Sequence, residues 1–303
     1  MIHWFKKMLQ SRWRNLMIEE SALNNAESLI QSGTKKLSSI SNVPRLEAEV
    51  LLSYLLDITP IKFHTDNICI NQKVMDKFKS MIESRSEGIP MAYLIGKKEF
   101  WSMDFIINEY VLVPRPETEL LIENAIEIFK NFESPNILEL GTGSGIISIV
   151  LQKELNNPSI TAVDISKEAL RIAKRNAQKH KISDIRFIVS DWFSEIMNED
   201  FDLIISNPPY VDRSKLSKEE LFGIVTEPDI ALYSENDGTS DLELIIKKSP
   251  HYLKNGGWLI LEHGYDQSNY CISEMKKAGY SKINNSKDIQ NITRSTFGMF
   301  IDE

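Results

Sequence analysis

The chain has 303 residues and carries 43 acidic against 35 basic side chains, a formal net charge of −8. That balance argues against a protein held mainly by nucleic-acid phosphates, although it leaves room for a local basic patch. Apolar and charged fractions of 42% and 26% are those of a globular chain with a substantial core, and no apolar run reaches membrane-spanning length.

The first sixteen residues stand apart. Lys6, Lys7, Arg12 and Arg14 have no acidic neighbour there, and Ile2, Phe5, Leu9, Trp13 and Leu16 fall on one helical stripe. A membrane-surface or organellar targeting helix has this pattern. We read residues 1–17 instead as an upstream extension or a misassigned start, because Met17 opens Ile-Glu-Glu-Ser-Ala-Leu, an ordinary first helix. Residues 18–95 then read as a small helical domain. Helices are expected over Ile18–Ser32, stopped by Gly33, over Pro44–Leu56, ended near Pro60, and over Asn71–Glu87, ended by Gly88. Leu46, Val50, Leu51, Tyr54 and Leu55 recur at helical spacing and are expected to pack it. Cys69 and Cys271 give neither a disulfide framework nor metal spacing, which suits a reducing compartment; both read as small buried apolar residues.

Residues 96–113 form a linker, with Lys97–Trp101 and Phe105–Asn108 predicted as a β-hairpin around Ser-Met-Asp. From Pro116 strands and helices alternate, so residues 114–303 are expected to form a doubly wound, mostly parallel sheet. The pair Tyr280–Asn284 and Arg294–Ile301 closes it with an antiparallel strand. Arg115, fixed between two prolines, is expected to pair with Glu117 or Glu119.

Four strand ends carry chemistry. The apolar run Asn136–Leu140, containing Glu139, leads into Gly141-Thr142-Gly143-Ser144-Gly145 and then a helical pattern, the layout of a nucleotide-binding βα unit. Its Gly-x-Gly-x-Gly spacing departs from the dinucleotide fingerprint and favours a ligand without phosphates. The next strand ends at Asp164, about twenty residues on, where a carboxylate can accept from ribose hydroxyls or cap the following helix. Strand Ile185–Val189 precedes Asp191 and Trp192, a partner for an adenine amino group and a ring to flank it, although Trp192 also fits a core role. Strand Phe201–Ser206 precedes Asn207-Pro208-Pro209-Tyr210. The Asn207 side-chain oxygen and Pro208 carbonyl are both acceptors and can hold the two hydrogens of a planar NH2 group, with Tyr210 over its flat face. His263, in Leu261-Glu262-His263-Gly264, reads as structural.

These segments resemble class I S-adenosylmethionine-dependent methyltransferases of the amino-group type, Rossmann-like α/β proteins with a mostly parallel seven-stranded sheet. Pro44–Leu52, Gly88–Gly96, Glu99-Phe100-Trp101, Pro114–Glu119 and Glu227–Leu232 resemble further segments of the HemK/PrmC family of protein-(glutamine-N5) methyltransferases. The family starts close to Met17, and the resemblance covers about residues 18–303. It implies that S-adenosyl-L-methionine is held by Glu139, Gly141, Thr142, Gly143, Ser144, Gly145, Asp164, Asp191, Trp192 and Asn207. It implies that the substrate is a class I peptide-chain release factor, whose Gly-Gly-Gln glutamine is methylated. Asn207, Pro208 and Tyr210 would be catalytic, and Pro209 and Phe100 would join them around the glutamine; Phe100 and Trp101 fit an inter-domain core equally well.

The helical domain is expected to dock the protein substrate; no metal and no stable nucleic-acid or membrane partner is expected, a monomer is the default, and the expected location is cytoplasmic, or organellar if residues 1–16 target. An adenine-N6 or other nucleic-acid amino-methyltransferase would use the same acceptor pair on a flipped base, but it usually carries a basic recognition module, whereas here the extra domain reads as helical and the whole chain is acidic. A non-catalytic S-adenosylmethionine-binding partner of the translation machinery would not need an intact Asn-Pro-Pro-Tyr.

Overall fold

The computed structural model describes residues 25–66, 68–197 and 200–302, so the basic stretch 1–17 lies outside the described residues. It divides into two compact units: one reaches Ile95 and includes Phe222–Thr226, and the other comprises Gly96–Leu221 and Glu227 onward.

The first unit is built on helices α1 (Ala26–Leu37), α2 (Pro44–Leu56) and α3 (Gln72–Ser86). Their starts follow local chemistry. Asn25 and Asn71 accept the first free amides of α1 and α3, and Pro44 opens α2, where its missing N–H costs nothing. Gly33 does not stop α1, as expected from sequence, but lies inside it. A Cβ there would come within 2.9 Å of Ile82 Cδ1 and 3.0 Å of Phe78 Cζ, so the glycine lets α2 and α3 pack directly against the α1 backbone. This also decides which face of α2, which has apolar residues on both sides, turns inward. Ala48, Leu51 and Leu52 are buried, whereas Leu46 and Tyr54, expected in the core, lie on the outer face. Small Ala48 opposite Gly33 permits the close approach that the bulkier stripe forbids. Cys69, expected to be buried, is exposed; Cys271 is buried in the core of the second unit.

In the second unit the hairpin strands are β1 (Lys97–Phe100) and β2 (Met103–Ile106). Trp101 and Ser102 both adopt positive φ, which makes a two-residue turn, tighter than the one read from sequence. The large sheet contains β3 (Asn136–Leu140), β4 (Ser159–Asp164), β5 (Ile185–Val189), β6 (Phe201–Ser206), β7 (Leu253–Glu262), β8 (Tyr280–Lys287) and β9 (Thr293–Phe300), in the order β5-β4-β3-β6-β7-β9-β8. Strands β3 to β7 run parallel, and β9 is antiparallel to both neighbours. The chain leaves β3 towards β5 and returns at β6 on the other side of β3, which opens a crevice beyond the carboxyl ends of β3 and β6. Helices α4 (Glu119–Phe129), α5 (Ile146–Glu154), α6 (Lys167–Lys179), α7 (Ser240–Lys248) and α8 (Ser268–Lys277) complete the unit. Fully buried Asn176 on α6 ties the hairpin to the glycine loop. Its Oδ1 accepts from Ile106 N at 2.7 Å, and its Nδ2 donates to Ile106 O and Ser144 O at 3.0 and 2.9 Å.

Candidate active site

A cleft of about 300 Å³ lies at the carboxyl ends of the parallel strands, lined by Glu139, Gly141, Thr142, Gly143, Ser144, Asp164, Asp191, Trp192, Asn207 and Pro209, with Thr118 and Arg115 beside them. The glycine loop after β3 is held from both sides. Asp164 Oδ2 accepts from Gly143 N and its Oδ1 from Ser166 N, both at 2.8 Å, so this carboxylate organises the loop and the start of α6 while facing the cleft. Burial raises its pKa, and these two amide bonds oppose the rise. A Cβ on Gly143 would meet nothing within 4 Å, so the loop leaves open space there. Gly145 sits behind the loop, where a Cβ would lie 3.0 Å from that of Ala173; its role is close packing of α5 on α6.

Glu139 Oε2 accepts from Thr142 Oγ1, Ser148 N and Ser148 Oγ, which fixes the side chain. Its Oε1 is buried and has no partner among the described residues. Burial pushes the carboxyl up to about 7, against the pull of those hydrogen bonds. A buried carboxyl oxygen without a protein donor, at a cleft edge, suits a cationic donor. Trp192, at φ +48°, holds a backbone conformation unusual for a bulky residue, and Ser190 Oγ secures it by donating to the Trp192 carbonyl at 2.8 Å. The indole lies 3.6 Å from where a Gly141 Cβ would be, so it borders the cleft beside the glycine loop. Asp191 is exposed at the same edge.

S-adenosyl-L-methionine fits this set. The open backbone at Gly143 admits a close ligand, the bare Glu139 oxygen suits an ammonium group, Asp164 suits ribose hydroxyls, and the Asp191–Trp192 edge suits adenine.

Asn207, after β6, donates from Nδ2 to Thr118 Oγ1 at 3.2 Å, and Thr118 Oγ1 donates to Glu262 Oε2 at 2.7 Å. Asn207 Oδ1 receives no bond from the described residues. Tyr210, expected to cover a planar substrate group, instead packs its ring on the core and donates its hydroxyl to Glu262 Oε1 at 3.0 Å. Neither Tyr210 nor buried Pro208 lines the cleft. Phe100 is also away from it: it occupies the inward end of β1, 4% exposed and edge-to-face with Phe105. The alternation of the strand, not proximity to the cleft, decides its side. Trp101 uses its backbone and indole N–H groups on Glu119 and Glu154.

Arg115 pairs with buried Glu227, not with Glu117 or Glu119, and Glu227 also accepts from Val113 N at 2.9 Å. This long-range contact has no local signature. His263 is buried with one ring nitrogen on Gly264 O and the other on Thr296 Oγ1. Sequence reasoning missed Thr118, Glu227 and Glu262. For Glu262 a signal existed, a lone carboxylate ending the apolar run from Trp258. Among the described residues no cluster of His, Cys, Asp or Glu is placed to hold a metal, and no helix is long and apolar enough to cross a membrane.

The doubly wound sheet, the glycine loop and the fitted cleft define a class I S-adenosylmethionine-dependent methyltransferase. Residues 116–238 match the model of the methyltransferase small domain, and residues 28–96 that of the PrmC N-terminal domain. A methyltransferase from Pyrococcus furiosus is similar in fold, with a TM-score of 0.51 at 18% identity over 67% of this chain and 91% of that one. A release factor glutamine methyltransferase from Buchnera aphidicola subsp. Schizaphis graminum is 42% identical over 89% of this chain and 97% of its own length. One from Shewanella oneidensis is 34% identical over 94% and 98%. The chain belongs to the release factor glutamine methyltransferase family.

Proposed function

We infer that this enzyme transfers the methyl group of S-adenosyl-L-methionine to the side-chain amide nitrogen of the glutamine in the Gly-Gly-Gln motif of a class I peptide-chain release factor. The observation that carries this reading is the Asn207 amide: its NH2 end is committed to Thr118, so the end left for a ligand is an acceptor. An acceptor lining the cleft suits a substrate NH2 group. The cofactor supplies a methyl group already activated by a sulfonium charge. An amide nitrogen is a weak nucleophile because its lone pair is delocalised. The residues of the chain therefore act by alignment: Asn207 Oδ1 takes an N–H bond, aims the lone pair, and stabilises positive charge as it develops on nitrogen, whereas Pro208, expected to take the second N–H bond, is buried outside the cleft lining. No strong base is needed beforehand, since the nitrogen proton becomes acidic as transfer proceeds.

Glu139, Gly141, Thr142, Gly143, Ser144, Asp164, Asp191 and Trp192 hold the cofactor in this scheme, with Gly145 supporting the loop from behind. Pro209 borders the substrate, and Tyr210 anchors the loop through Glu262. Residues 18–95 dock the protein substrate. The enzyme works in the cytoplasm as a monomer without stable nucleic-acid binding. Labelled methyl transfer tests the reading, with wild type and Asn207→Ala each offered a release factor, its Gly-Gly-Gln→Gly-Gly-Ala variant, DNA and RNA. Label on the intact release factor alone, lost with either substitution, is expected. Label on nucleic acid would assign the acceptor pair to a base instead.

A further inference from the structure

Three polar side chains from separate parts of the second unit meet at one end of the cleft, and their hydrogen bonds have a direction. Thr118 belongs to the turn Pro116–Thr118 before α4, Asn207 follows β6, and Glu262 ends β7, one position beyond Leu261, the register partner of Ser206. Thr118 and Glu262 are 2% and 1% exposed, so the bond between them is shielded from bulk water. A threonine hydroxyl has one hydrogen. An ionised Glu262 can only accept, so that hydrogen goes to Glu262, and towards Asn207 the Thr118 oxygen can only accept. Asn207 must then present its NH2 end to Thr118 and its carbonyl end to the cleft. If Glu262 were a donor, Thr118 could turn its hydrogen to Asn207, and the flipped amide would offer NH2 to a substrate that also brings NH2.

We propose that Glu262 is a positioning residue for methyl transfer, an acceptor-only carboxylate that sets the Asn207–Thr118–Glu262 chain in one direction and so keeps the Asn207 carbonyl turned to the substrate amide. The proposal rests on Asn207 being the substrate acceptor. Tyr210, donating to the other Glu262 oxygen, makes the same carboxylate the anchor of the Asn-Pro-Pro-Tyr loop. The charged groups acting on Glu262 are Glu117, which opposes its ionisation, and Arg294, which favours it; burial outweighs both and pushes the carboxyl up to about 7.

The test uses the full chain, with a release factor as acceptor at saturating cofactor, which removes titrations that act on cofactor binding. Thr118→Val, close in shape but without a hydroxyl, is expected to lower kcat roughly 10- to 100-fold with cofactor affinity held within a few-fold, and Thr118→Ser to restore most of it. In wild type kcat should fall as pH drops below about 7, where Glu262 takes up a proton. In Glu262→Gln the rate should be low, and this acid limb should be gone. A folded Thr118→Val enzyme with wild-type kcat, or an acid limb unchanged in Glu262→Gln, would overturn the proposal. Loss of activity in Asn207→Ala alongside full activity in Thr118→Val would reject the relay alone. Full activity in Asn207→Ala would reject both the relay and the proposed acceptor.

Discussion

Gly238 places the backbone of the Asn-Pro-Pro-Tyr loop under a direct steric constraint, and Gly238→Ala puts a number on it. A Cβ at this position would stand 2.2 Å from the Tyr210 carbonyl oxygen, 2.9 Å from its carbon and 3.0 Å from Gln267 Nε2, at a φ of +80°. The obstacle is backbone, so no side chain can swing away, and relief requires separation by about 1 Å. The left-handed alanine costs ~1–2 kcal/mol, and the forced shift adds about 1–3 kcal/mol. Gln267 Nε2 donates to both Tyr210 O and Gly238 O at 3.1 Å, and strain on these bonds adds about 1 kcal/mol. We expect a total near 4 kcal/mol, or a fall in Tm on the order of 10 °C. The loop shift also moves Asn207, and a displacement of about 1 Å costs on the order of 100-fold in kcat. Gly238 does not line the cleft, so cofactor affinity should barely change. Thermal melting, calorimetric cofactor binding and labelled methyl transfer read the three quantities separately. A variant with wild-type Tm and kcat would refute the reasoning.

Gly143→Ala should behave in the opposite way: its Cβ meets nothing within 4 Å, so the fold loses only about 1 kcal/mol to the positive φ, whereas calorimetry should show cofactor affinity reduced roughly tenfold or more as the methyl enters the cleft. Glu139 gives a pH signature. Its folded pKa, raised to about 7, exceeds the ordinary value of 4.5, so the folded state retains a proton that the unfolded chain releases between those values. Its stabilising contribution is therefore present below 4.5 and lost as pH rises towards about 7; denaturant titrations of Glu139→Gln without cofactor should show this decline reduced by about 1–3 kcal/mol. A residual slope should remain from Glu262, which is raised in the same way. Asn176→Ala should cost about 2–4 kcal/mol in denaturant unfolding, because it strands Ile106 N, Ile106 O and Ser144 O together. Unchanged stability there would mean that the hairpin is held by packing alone.

Local sequence pattern sets the alternation of strands and helices, the glycine turn after β3, and the order in which Asp164, Asp191 and Asn207 arrive at successive strand ends. These are local properties: buried parallel strands read as continuous apolar runs, and turns require particular residues. The strand ends converge because a parallel sheet places all its carboxyl ends on one edge, so Asp164 and Asn207 are legible as cleft residues from sequence, whereas Glu139 is legible only through the family resemblance. Long-range packing selects which face of α2 is buried, because apolar residues lie on both its stripes and Gly33 makes the choice from another helix. The same packing places Phe100 in the core, turns Tyr210 inward, and pairs Arg115 with Glu227 across 112 positions. Glu262 and Thr118, 144 positions apart, show the reason most plainly. A buried hydrogen-bond network depends on directions and distances between segments that share no sequence pattern, so its members become partners only once the sheet has brought them together.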